Sequence, residues 1–357
     1  MFTIPLLGVL SPVKLSTPLR MTLWLILSFG VIILIGFRYK IGGDWINYYE
    51  AYLRIDTEGF GQAVNSRSIG YGTINWVSSL LGFGIAGVNT FCAVFFVAGL
   101  SYFCRKQPSP YLAWLVATPY MIVVVAMGYT AQSVALGMVM VAYICLSERR
   151  VLLFFLFVGI AYLFHKSGII VLPLALTLIE KDALYRWVRR LSELNIASIY
   201  SWLLIAVIFL CGLLLLREFS GLYKLIDYYV FRGQWESGGG RYRVLLNVVP
   251  GLVLLFSRQI FGTSLTSERI WKILSCISLI MVPLVFWQST LIDRVSLYLI
   301  PLQLYVWSRV PFLISNAVIR STSVLVLCGM YAFVFWGWLK YSNHSYEWIP
   351  YDNFFLF

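Results

Sequence analysis

The chain alternates long apolar runs with short polar breaks. Runs of roughly twenty apolar residues read as membrane-spanning helices, and shorter ones span where neighbouring helices shelter them. About eleven spans are expected (10–12 at the limits), at about 21–37, 84–104, 111–127, 130–147, 151–164, 167–180, 199–216, 243–257, 271–288, 293–308 and 321–340. The stretch from Val151 to Ile179 carries Arg or Lys on both flanks. It is too long for one untilted helix at about 1.5 Å per residue. Basic flanks at both ends require an even number of crossings, so the chain turns at its polar break, His165-Lys166-Ser167. The same reasoning divides 111–147 at Gly128-Tyr129-Thr130, and 271–308 between Gln288 and Arg294. The first run lacks a small-residue cleavage site, so it reads as a span and not as a signal peptide. No internal repeat or linker is visible. The whole chain, 1–357, is expected to form a single transmembrane domain with polar loops at about 38–83 and 217–242.

Composition points the same way. Hydrophobic residues make up 60% and charged residues 12% of the 357, and the mean hydropathy is +0.83. Soluble domains carry about twice that share of charge. The expected class is therefore an all-α polytopic membrane protein.

Charge then sets orientation. With a cytoplasmic N-terminus, every cytoplasmic break holds basic residues close to a helix end: Lys14 and Arg20, Arg105 and Lys106, Arg149 and Arg150, the cluster from Lys181 to Arg190, Arg258 to Lys272, and Arg309 with Arg320. This is the positive-inside pattern, and an odd number of spans puts the C-terminus on the outer face. Orientation accounts for most of the +12 net charge, so no nucleic-acid partner is expected. The six cysteines lack metal-ligand spacing, and only two histidines are present. No metal or cofactor is expected.

Twelve of the 27 basic residues remain on the outer face, where orientation does not ask for them. Either they solvate loops and pair with carboxylates there, or they hold an anionic ligand. Guanidinium groups suit phosphate because two of their donors reach two oxygens at once. Charge kept near the bilayer at helix ends favours the second reading.

Three constellations follow. Directly after the first span come Arg38, Gly42, Gly43, Asp44 and Tyr48. The glycines free the backbone to turn. Asp44 either acts as a general base or merely caps a helix starting at Trp45. At the break inside 151–179, His165 can carry a proton near neutral pH or simply sit at the interface, with Lys166 beside it. Before the span at about 243–257, a glycine run precedes Arg241 and Arg243 and reads as a phosphate wrap or as a flexible loop. Asp293 and Arg294, with Tyr298 a turn later, form a further charged pair whose plain reading is a mutual ion pair.

With these residues in view, the chain resembles the EpsG-like branch of Wzy-type polysaccharide polymerases. The carriers are Arg38…Gly43-Asp44…Tyr48, then Gly128-Tyr129-Thr130-Ala131-Gln132, His165-Lys166-Ser167, Asp293-Arg294…Tyr298, and Trp348-Ile349-Pro350-Tyr351. The resemblance implies a GT-C-like arrangement of helices in the bacterial inner membrane, with the active site facing the periplasm. It implies polymerisation of oligosaccharide repeat units carried on undecaprenyl diphosphate. A sugar hydroxyl of one unit displaces the lipid diphosphate of another, without nucleotide or other cofactor. Expected partners are the undecaprenyl-diphosphate-linked oligosaccharide, membrane lipids and a chain-length regulator. The family pattern carries an arginine before the glutamine, where this chain has Ala131. Arg38, Arg241, Arg243 or Arg294 must then serve the diphosphate. Asp44 is the first choice for the base and His165 the second. Tyr48, Gln132, Lys166, Asp293 and Tyr298 are expected to position substrate. An O-antigen ligase makes the same bond to a different acceptor. A lipid-linked-sugar flippase is the alternative from another class.

Overall fold

The computed structural model describes residues 3–10, 16–66, 68–178, 239–257 and 265–356. The expected span at about 199–216 lies outside them, as do Lys14, Arg67, Arg258, the basic cluster from Lys181 to Arg190 and most of the 217–242 loop. Among the described residues, extended backbone pairs only at one antiparallel bridge, Arg38 to Asn353.

In chain order the helices are α1 (Thr3–Leu10), α2 (Thr17–Gly36), α3 (Trp45–Glu58), α4 (Phe60–Asn65), α5 (Ile69–Leu80), α6 (Gly84–Arg105), α7 (Pro110–Ala117), α8 (Thr130–Ser147) and α9 (Val151–Phe164). A π-helical turn, Thr118–Ala126, prolongs α7, and a 3-10 helix, Lys166–Leu178, follows α9. After the undescribed stretch come α10 (Gly240–Phe256), α11 (Leu265–Trp287), α12 (Ser289–Ser296), α13 (Ile300–Trp307) and α14 (Ala317–Tyr341). Five helices are long and apolar enough to cross a membrane: Thr17–Gly36, Gly84–Arg105, Thr130–Ser147, Ser267–Trp287 and Ala317–Tyr341. The apolar segments Pro110–Ala126, Val151–Phe164 and Lys166–Leu178 are shorter. The protein is a polytopic helical membrane protein. The breaks expected at Gly128-Tyr129, at His165 and at Gln288 all interrupt helices.

α8 is the central helix, buried at every residue from Thr130 to Leu146. Small residues make this possible. A Cβ on Gly99 of α6 would lie 2.3 Å from the Gly137 carbonyl oxygen of α8, so the two backbones touch. Gly36 of α2 packs in the same way on Thr90 of α6, and Gly251 of α10 on Ser278 of α11. Close approach of this kind drives helix association where lipid is as apolar as the side chains. The chain ends its helices by familiar means. Ser16 accepts a hydrogen bond from the Leu19 amide at the start of α2, and Asn316 accepts from the Val318 and Ile319 amides at the start of α14.

Two features differ from expectation. The segment at about 38–83 was expected as a loop because it holds no apolar run of span length. It folds instead into α3, α4 and α5, short helices that bury one face each, such as Trp45, Tyr52 and Ile55 of α3. The 3-10 helix replaces an ordinary span at 166–178. Pro173 lies inside it and cannot donate a backbone hydrogen bond.

The α6–α8 contact gives a direct test. Gly99→Ala should force the two backbones apart and destabilise the fold by about 1–3 kcal/mol. Gly329→Ala of α14, where a Cβ meets nothing within 4 Å, should leave the melting temperature in detergent unchanged or slightly raised. Equal melting of the two variants would contradict the packing described.

Candidate functional site

The site is built where the chain stops being helical in front of α8. Pro119 withholds an amide early in the π-helical turn. The helix ends at Gly128, and Tyr129 precedes the first residue of α8. The loop after α2 lies directly against this break. A Cβ on Gly42 would sit 2.7 Å from the Met127 carbonyl oxygen and 3.0 Å from the Gly128 Cα. Gly42 also has φ +104°, a conformation that other residues rarely adopt. Glycine here is therefore required twice, and Asp44 is brought beside Tyr129.

Three consecutive residues of the first turn of α8 receive three groups. Thr130 Oγ1 accepts from Arg38 Nη2 at 2.7 Å. The Ala131 amide faces the Tyr48 hydroxyl. Gln132 Nε2 donates to the Arg294 carbonyl at 3.2 Å, and the Gln132 side chain faces the Tyr298 hydroxyl. The Tyr298 hydroxyl lies 3.0 Å from Ser167 Oγ, which in turn meets His165 Nδ1 at 2.5 Å. Residues separated by more than a hundred positions thus form one row of polar groups from His165 to Arg294.

The four arginines expected to hold diphosphate fall into different surroundings. Arg38 is 1% exposed. Besides Thr130 it donates to Asn89 Oδ1 at 3.1 Å and to the Ile35 carbonyl at 2.5 Å. Burial pushes its pKa down to about 10, which leaves it charged at neutral pH. Its place is beneath the site, as an anchor, and not at a surface a diphosphate reaches. Arg243 is paired bidentately with Asp293 through Nε and Nη2, and its guanidinium lies 5.8 Å from the Tyr120 ring centre. This corrects the reading of Asp293 and Arg294 as a mutual pair: Asp293 turns inward to Arg243. Arg243 is committed too, in the first turn of α10 and not in a glycine loop. Arg241 is exposed, 5.0 Å over the Phe286 ring. Arg294 is half-buried, and among the described residues its guanidinium takes no ion pair.

Asp44 also differs from the plain reading. It stands at the start of α3, yet its side chain makes no capping hydrogen bond. Asn47 Nδ2 approaches its Oδ1 only to 3.5 Å, the outer limit of a hydrogen bond. The half-buried carboxylate is available for other work. Lys166 is exposed at the turn after α9, and His165 is half-buried.

Tyr129 lies at the centre. Its hydroxyl is within electrostatic reach of Arg243, Asp293, Asp44 and Arg294. Sequence reasoning gave neither Tyr129 nor Ser167 a role in the site. It missed Tyr120, Asn89 and Thr130 as well. Uncharged residues carry no signal in one sequence, although Tyr129, Thr130 and Ser167 sat inside segments already singled out. Chemically, the arrangement offers the N-terminal end of a buried helix, which favours negative charge, with the Arg294 guanidinium and the Asp44 carboxylate nearby. Among the described residues no cluster of His, Cys, Asp and Glu could hold a metal ion.

A family model described as the EpsG family matches residues 21–353. The match takes in every segment that carries the resemblance, from Arg38 to Tyr351. No curated relative and no solved structure matches the chain. A polar site at a helix break inside an apolar bundle, with a family match running almost from end to end, makes this chain a member of the EpsG family of polysaccharide-polymerase-like membrane proteins.

Proposed function

We propose that the protein joins undecaprenyl-diphosphate-linked oligosaccharide repeat units at the periplasmic face of the bacterial inner membrane, in a chain that crosses the bilayer about eleven times with its N-terminus in the cytoplasm. The observation that carries the chemistry is that the Asp44 carboxylate and the Arg294 guanidinium both lie within electrostatic reach of the Tyr129 hydroxyl. Glycosyl transfer from a lipid diphosphate needs one group of each kind. The acceptor hydroxyl gives its proton to Asp44 as its oxygen bonds to the anomeric carbon of the donor. The bond from that carbon to the diphosphate oxygen breaks, and the lipid diphosphate leaves with the electron pair. Arg294 and the first turn of α8 face the charge that grows there, and the exposed Arg241 attracts the diphosphate.

The same geometry divides the remaining residues. Arg38, Tyr48, Gln132 and Tyr298 hold the first turn of α8 in place. His165 orients Tyr298 through Ser167, which leaves Asp44 as the base. Arg243 and Asp293 keep the start of α10 against α12, while Lys166 stands at the rim. The charge expected from an arginine at position 131 is supplied from α2: Arg38 bonds to Thr130, one residue earlier.

The test is a purified chain in nanodiscs given lipid-diphosphate-linked repeat units, with longer lipid-linked glycans as product. Asp44→Asn should lower kcat by about 10²–10⁴-fold with KM little changed. An unaffected kcat would remove Asp44 as base, and His165→Gln would then be measured in its place. Transfer only to a lipid A core acceptor would identify a ligase, and movement of intact donor across the bilayer without bond formation a flippase.

The arginines should separate by what they damage. Arg294→Ala should weaken donor use about 10–100-fold, as loss of a hydrogen bond to a charged group does, without altering melting. Arg243→Met should cost about 3–5 kcal/mol of stability by removing one partner of the buried Arg243–Asp293 pair, and Arg243→Met with Asp293→Leu should recover most of it. The reverse pattern, with Arg294 structural and Arg243 affecting only donor use, would overturn this division.

A further inference from the structure

The segment that follows α14 does not line the site, yet it touches both of its walls. The Glu347 carbonyl accepts from the Gly42 amide at 3.0 Å. Trp348 is buried, and its Nε1 donates to the Val123 carbonyl at 3.0 Å, inside the π-helical turn. Its ring lies against Gly128: a Cβ there would be 2.8 Å from Cζ2 and 3.1 Å from Cη2. From the other side Trp338 of α14 meets the indole edge-on at 5.1 Å. Farther along, the Tyr39 amide donates to the Asp352 carbonyl and the Phe354 amide to the Phe37 carbonyl, at 3.0 and 2.9 Å. Phe37 and Phe355 stack at 4.5 Å. One short segment therefore fixes Gly42, two residues from Asp44, and Gly128, one residue from Tyr129.

We propose that Trp348 is a positioning residue of the reaction, which sets the distance between the Asp44 loop and the Tyr129 break. This rests on the function proposed above. The indole is wedged between α14 and Gly128, so it cannot retreat when Gly128 is pushed. Gly128 itself needs no special backbone conformation, since its φ is not among the positive values. Glycine is needed there because the far ring atoms of Trp348 occupy the place of a Cβ. A phenylalanine at 348 lacks those two atoms.

The proposal predicts compensation between the two positions. Gly128→Ala should lower kcat at least about tenfold with donor KM nearly constant, and Trp348→Phe about threefold. The double variant should be about tenfold faster than Gly128→Ala alone, whereas independent effects would make it slower than either. Melting in detergent checks that all three remain folded. A second readout does not need turnover. Spin labels on Gly43→Cys and Lys166→Cys, in a chain with its native cysteines replaced, report the width of the site. Their distance distribution should shift or broaden in Gly128→Ala and return in the double variant. A wild-type chain that makes no polymer but shows this shift and return would sink the polymerase reading and keep the positioning role. Polymer from the wild type, with multiplicative losses in the double variant and no return of the distance, would sink the positioning role alone.

Discussion

A helix that stops inside a bundle of apolar helices leaves peptide groups that lipid cannot satisfy. At Gly128 this constraint is met from four directions. The Tyr129 amide returns to the Val125 carbonyl, and the Tyr129 carbonyl accepts from Ser133. The Tyr48 hydroxyl faces the Ala131 amide, and Trp348 donates to the Val123 carbonyl. Two of these bonds are local, four residues apart, and two of the groups, Tyr48 and Trp348, come from distant parts of the chain. Satisfying the break thus draws α3, the segment after α14 and the π-helical turn to one point. The site follows from this, because Asp44, Tyr129 and Gln132 are neighbours of the groups that do the satisfying.

The second constraint is that charge inside such a bundle must be paired, buried with polar partners, or used. The arginines illustrate all three outcomes. Arg243 meets Asp293 in a bidentate pair, which is the arrangement a guanidinium prefers. Arg38 meets only neutral acceptors, the Asn89 amide oxygen, the Thr130 hydroxyl and a backbone carbonyl. Arg294 presents its carbonyl to Gln132 and keeps its guanidinium uncommitted among the described residues. Position along the chain does not distinguish these cases. Their surroundings do.

This explains how far the sequence could be read. The apolar runs and their polar breaks were legible because lipid imposes a length and forbids charge: Gly128-Tyr129, His165 and Gln288 were located from those two rules alone. The short helices α3 to α5 were not, since they carry no span-length run. The segments that form the site were legible as clusters of unusual residues. The contacts inside them were not. Asp293 sits beside Arg294 in sequence, and adjacency suggested a pair, yet neighbouring side chains on a helix point apart. Asp44 looked like a helix cap because that residue type commonly caps. Only the geometry of Asn47 and the loop shows that it does not. Trp348 stood in a segment singled out for its resemblance, and nothing in one sequence could reveal that its ring fills the space of the missing Gly128 side chain.

The resemblance implies an arginine at position 131, and in the proposed mechanism its charge comes from elsewhere. An arginine there would project from α8 itself. Arg38 instead arrives from the end of α2 and reaches Thr130, one residue away. It is held at three points and nearly without solvent, so its charge is fixed before any ligand binds. A charge in such a place acts through a low dielectric and needs no reorganisation during reaction. It adds to the positive end of the α8 dipole, which points the same way. In the proposed mechanism the leaving diphosphate therefore meets a field from two sources it does not touch, while Arg294 makes the contact.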